Sequence, residues 1–112
     1  MANYNGKGAF VLPRALRLKS GVNVESITTD KTLTYSSSMI QLLDNSTAGS
    51  LACHLPSYKD GAIFAIKATG SNSIVVKRAS GSVVVTIAAG EGCLLVCTGS
   101  LPSSDWVSVI KA

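Results

Sequence analysis

The sequence predicts an all-β fold: a single small antiparallel β-sandwich or jelly-roll-like barrel of about eight strands, carrying an extended N-terminal arm. Three observations lead there. Between residues 61 and 110, short apolar runs rich in Val and Ile follow one another at nearly even intervals, each too short for a helix. Turn-forming clusters separate them: Gly70-Ser71-Asn72, Ser80-Gly81-Ser82, Gly90-Glu91-Gly92 and Gly99-Ser100-Leu101-Pro102. Third, the chain has 112 residues, 46% of them hydrophobic and 14% charged, which suits one domain with one modest core and argues against disorder.

In chain order, residues 1–9 are small and polar and are expected to be flexible. The next stretch, Phe10-Val11-Leu12-Pro13-Arg14-Ala15-Leu16-Arg17-Leu18-Lys19, alternates Leu16 and Leu18 with Arg17 and Lys19. Pro13 lacks a backbone donor and forbids a central strand there. The alternation suggests an extended arm that lays its leucines on a surface and points Arg17 and Lys19 away or toward acidic groups; a helical turn from Pro13 is the competing form. Ser20-Gly21-Val22-Asn23 reads as a hinge, which divides the chain into an arm of residues 1–24 and a β-domain of residues 25–112.

The folded part then opens with a Thr-rich strand over 27–35, interrupted by an Asp-Lys turn or bulge. A strand at 39–43 follows the break at Ser36-Ser37-Ser38. Residues 44–49 form a dense turn cluster suited to Asx bonding and a left-handed glycine. A strand over 50–56 ends at Pro56, and Asp60-Gly61 leads into the runs 62–66, 74–76, 83–87, 93–97 and 106–110. Several of these runs are apolar at consecutive positions, so both faces of a sheet shun water. A second sheet covers one face. Self-association is the simplest cover for the other.

Charge is the most informative quantity. Residues 1–24 hold Lys7, Arg14, Arg17 and Lys19 and no acid, so they carry the whole net charge of +4. In the remainder six bases and six acids cancel. The mean hydropathy of +0.36 is high for a soluble monomer. No apolar run approaches the roughly 20 residues that span a bilayer, so no membrane partner is expected. The N-terminus lacks the order of a secretory signal, which implies synthesis in a cytoplasm.

Catalytic and metal chemistry find little to build on. The three cysteines, Cys53, Cys93 and Cys97, lack paired C-x-x-C spacing. Cys93 and Cys97, four apart on one strand, lie about 13 Å apart at ~3.3 Å per residue and cannot bond each other. Three buried thiols are the expectation. His54 sits in an apolar strand, where a histidine satisfied by a backbone carbonyl is commoner than a base. No nucleophile elbow, H-E-x-x-H or P-loop occurs, and the carboxylates are scattered singly at turns. The reading is non-enzymatic, with no cofactor and no metal. Nucleic acid is disfavoured as a partner, because the six aromatics are not interleaved with bases in the manner of stacking platforms. Lys77-Arg78 reads as a solvated edge.

A Thr-rich strand, a strand ending in Leu55-Pro56, an Asp60-Gly61 turn into Ile63–Thr69, Ser73–Gly81, the Gly90-Glu91-Gly92 turn and a terminal Asp105-Trp106 occur in that order. Over roughly residues 27–110 this order resembles the small β-sandwich modules of tailed-bacteriophage virions: head decoration proteins, head fibres and tail-fibre modules. The resemblance implies a homo-oligomer, usually a trimer. A short basic arm on a free-standing module looks like a capsid decoration, or cement, protein located on the virion's capsid surface, and no coiled-coil or collagen-like shaft is present. The implied partner is the major capsid protein. Phe10, Val11, Leu12, Leu16 and Leu18 would cover apolar ground on it, while Arg14, Arg17 and Lys19 meet its carboxylates. A receptor- or glycan-binding fibre module and a nucleic-acid-binding β protein are the alternatives.

Overall fold

A computed structural model describes residues 21–57, 59, 61–99 and 105–112, together with the backbone of two short strands nearer the N-terminus. These two, β1 (Asn3–Tyr4) and β2 (Phe10–Val11), pair antiparallel. Nine further strands follow: β3 (Val22–Ile27), β4 (Lys31–Thr32), β5 (Ile40–Asn45), β6 (Leu51–His54), β7 (Ile63–Ala68), β8 (Ile74–Lys77), β9 (Val83–Ile87), β10 (Gly92–Cys97) and β11 (Trp106–Lys111). The described residues contain no helix. The all-β expectation therefore holds at that level.

The antiparallel meander does not. Sheet order is β11-β10-β7-β5-β3 in a five-stranded sheet and β4-β6-β8-β9 in a four-stranded one. β3, β5 and β7 run parallel to one another, as do β4, β6 and β8. From β3 to β8 the chain changes sheet at every connection, so each parallel pair is joined through a strand of the opposite sheet. Three coils stack this way. The β8–β9 hairpin then reverses direction, β10 adds antiparallel to β7, and β11 adds antiparallel to β10. The Thr-rich run is accordingly not one strand: it breaks after Ile27, crosses over through residues 28–30, and resumes as β4. Val22 and Asn23, read as hinge, are the first residues of β3.

Alternation explains why these segments form strands facing a common core. In β10 Cys93, Leu95 and Cys97 point inward, in β7 Phe64, Ile66 and Ala68, and in β8 Ile74 and Val76. With Ile27, Leu33, Leu43, Cys53, Leu55, Ile87 and Trp106 they make one contiguous cluster between the sheets. Trp106 is fully buried, tilted against Phe64 at 5.9 Å between ring centres, and its Nε1 donates to Pro56 O at 3.2 Å.

The corners between coils are held by polar side chains. Asn45, completely buried, donates from Nδ2 to Gly49 O at 2.8 Å and Ser73 O at 2.9 Å. Its Oδ1 accepts from Thr47 N and Thr47 Oγ1, the Asx turn expected of this cluster. One coil further on, Asn72 Nδ2 donates back to Asn45 O and Thr47 O. Gly49, however, is not left-handed.

Arg78 overturns the solvated-edge reading. β8 lies inside its sheet, and the guanidinium is nearly buried: Nε donates to Asp105 Oδ1 at 3.0 Å, Nη1 to Val83 O at 2.8 Å and Nη2 to Trp106 O at 3.1 Å. One side chain thus ties the β8–β9 hairpin to the start of β11. Removing one partner of such a pair strands the other charge. Arg78→Ala is expected to lower unfolding free energy by about 3 kcal/mol, read by urea denaturation, with Arg78→Lys recovering only part because lysine cannot reach three acceptors.

Candidate assembly surface

In-register strand partners share a face, so the pairing fixes what the five-stranded sheet shows on the side away from the core. One row across it reads Val22, Ile40, Ala65 and Leu94; the next reads Val24, Leu42, Lys67 and Gly92. A third holds Ile63, Val96 and Val107. Only at one end do charges enter, with Lys67 and Asp44. Val24 is 74% exposed, Val22 51%, and Ile63 and Val107 39% each. These side chains form one continuous apolar surface, larger than the single exposed hydrophobes usual on a monomer.

Small residues give that surface relief. Ala65 and Gly92, flanked by Ile40 and Leu42 on one side and Leu94 on the other, floor two adjoining hollows of about 150 and 300 Å³ rimmed by Lys67 and Ala112. A Cβ on Gly92 would stand 3.4 Å from Ile66 O and 3.5 Å from Lys67 Cβ, so the neighbouring strand crowds it.

Polar groups gather at the β3/β4 end of the layers. Glu25 Oε1 accepts from Lys31 Nζ at 2.8 Å and from Asn23 Nδ2 at 3.0 Å. Asn23 Nδ2 also donates to Gln41 Oε1 at 2.7 Å, and Gln41 Nε2 to Ser38 O at 2.7 Å. The hydrogen bond from Lys31, with that of Asn23 behind it, holds the Glu25 carboxyl below its ordinary pKa. This network closes the open end of the core. Among the described residues no buried side-chain nitrogen or oxygen is left without a partner.

His54 lies on the outer side of the four-stranded sheet, its Nε2 3.9 Å from Asp30 Oδ2, whose other oxygen accepts from Ala52 N at 2.9 Å. It thus faces a carboxylate rather than the backbone carbonyl expected. Cys53, Cys93 and Cys97 are buried free thiols, as read. Burial pushes Cys53 up to about 12 and Cys93 up to about 11.

Of the arm residues, Phe10 and Val11 form β2, while Leu12, Arg14, Leu16, Arg17, Leu18 and Lys19 lie outside the described residues, as does Tyr58. Sequence reasoning missed Val22, Val24, Ile40 and Leu42 as members of one surface. The period of two in Val22-Asn23-Val24-Glu25 was the available signal. Comparison with protein-family models, with curated proteins and with solved structures finds no match.

The raised thiol pKa values carry a stability consequence. A thiol near 12 folded and about 8.5 unfolded favours the folded state in its neutral form, fully so below the unfolded value. Stability is therefore expected to fall as pH rises from about 9 toward 12. Native protein at pH 8 should also react with a thiol reagent far more slowly than urea-unfolded protein, measured by absorbance of the released thiolate.

Proposed function

We propose that the protein is a non-enzymatic structural component of a tailed-phage virion, a decoration or cement protein that sits on the capsid shell as an oligomer, a trimer by resemblance. The observation that carries this reading is a division of labour. The β-body is electrically balanced and bears a wide apolar sheet face, while the surplus positive charge sits wholly in residues 1–24. In this reading the body is a two-layer β-sandwich that buries the outer face of its larger sheet against sister copies. Burying a well-exposed valine contributes up to about 1.5 kcal/mol, and the face offers several.

The arm is the part that meets the major capsid protein. Phe10, Val11, Leu12, Leu16 and Leu18 supply apolar contact, and Arg14, Arg17 and Lys19 pair with acidic groups on the shell. Each exposed ion pair contributes only about 0–1 kcal/mol. Tethering several arms to one oligomer raises effective concentration, so weak contacts add to firm attachment.

Two variants separate the parts. Val24→Lys with Ile63→Lys is expected to give a folded monomer of 11.5 kDa by light scattering where the unaltered chain gives a multiple of that mass. Deleting residues 1–20 is expected to leave the oligomer intact and abolish co-sedimentation with shells. Retained shell binding without the arm would refute its role, and a monomeric unaltered chain would refute the face as an interface.

A further inference from the structure

The outer face of the five-stranded sheet is not uniform from side to side. β7 is the middle strand, with β5 and β3 to one side and β10 and β11 to the other. On the β3–β5 side stand bulky apolar residues, Val22, Val24, Ile40 and Leu42. Beyond the β5–β7 boundary lie Ala65 and Gly92, the small residues that floor the two hollows. The same boundary separates two opposite charges, Asp44 on β5 and Lys67 on β7. No ion pair among the described residues uses either of them.

We infer that two copies of this chain join face to face about a two-fold axis that runs parallel to the strands, midway between β5 and β7. The pairing rests on the reading of this face as an interface between copies, and deepens it. Rotation about such an axis keeps every row at its own height and exchanges β5 with β7 and β3 with β10. Val24 of one copy then stands over the other's Gly92, Ile40 over Ala65, and Val22 over Leu94. Bulky side chains meet small ones, which lets two sheets about 10 Å apart interdigitate with their strands aligned.

Charge selects this axis over others. Lys67 falls over the other copy's Leu42, and that copy's Asp44 lies one row further on, about 7 Å along the strand and within reach of the flexible lysine stem. Symmetry makes the contact twice. An axis laid across the strands through the row of Ala65 would set Lys67 on Ile63, burying a charge on apolar ground. One through the row of Gly92 would set Lys67 on Lys67. A three-fold axis facing the middle strand would gather three copies of Lys67, so the trimer implied by the resemblance would have to assemble through other surfaces.

The full chain serves for the test. Light scattering of the unaltered protein is expected to give the mass of two chains. Lys67→Glu and Asp44→Lys, each alone, put like charges across both contacts and should weaken pairing at least about tenfold. Mixed in equal amounts, the two variants should pair with each other at close to the unaltered strength, since each supplies the charge the other needs; urea midpoints check that both fold. Carbodiimide treatment of unaltered protein, half of it isotope-labelled, should yield Lys67–Asp44 amides that join labelled to unlabelled chains in mass spectra. A monomeric unaltered chain would refute the face as an interface altogether. A mass of three chains, a mixture no stronger than its folded components, or amides only within chains would overturn the two-fold pairing while sparing that broader reading.

Discussion

The constraint on which this structure depends is that the chain crosses between two sheets at every step from β3 to β8. Parallel neighbours cannot be joined by a tight turn, and here the opposite sheet itself serves as the crossover. Both sheets therefore grow together, and neither has a hydrophobic face to bury without the other. The corners must be firm for the coils to stay in register. Asn45 and Asn72 do this by bonding from one coil to the next, giving partners to corner carbonyls that a bare turn would leave without them.

How much of this was legible in the sequence follows from what each signal encodes. Short apolar runs between turn clusters place β5 to β11 to within about two residues at each end, because strand length and punctuation are local properties, although Asp44 and Asn45, read as turn, close β5. Inward residues such as Cys93, Leu95 and Cys97 follow from the period of two. Strand direction is not local: a run of apolar residues looks alike whether its neighbour runs with it or against it. Coils of unequal length conceal the repetition, since Val22 stands opposite Ile40 while Ile40 stands opposite Ala65. Arg78 was misjudged for the same reason. Its carboxylate partner, Asp105, is distant in the chain and meets it only once β11 has docked.

The outer apolar surface was half visible. Consecutive apolar residues announced that both faces of a sheet avoid water, and the structure supplies an outer face of that kind. Its edge strand escaped notice because Val22-Asn23-Val24-Glu25 is short and polar on alternate positions, resembling a linker more than a strand. The polar half of that alternation closes the core through Glu25, Lys31 and Gln41, and the apolar half joins Ile40 and Leu42 outside. One strand thus serves as lid on one side and as part of the exposed apolar face on the other.

The hairpin between β8 and β9 has a consequence for size. By turning the chain back on itself it ends the stack on one side, sealed by β10 and β11 and the Arg78 clasp. Among the described residues the β3 side carries no comparable hairpin or clasp. Whole coils inserted ahead of Val22 would each pair parallel to the one after it, and they would have to take over from the Glu25, Lys31 and Gln41 network the task of closing that end of the core.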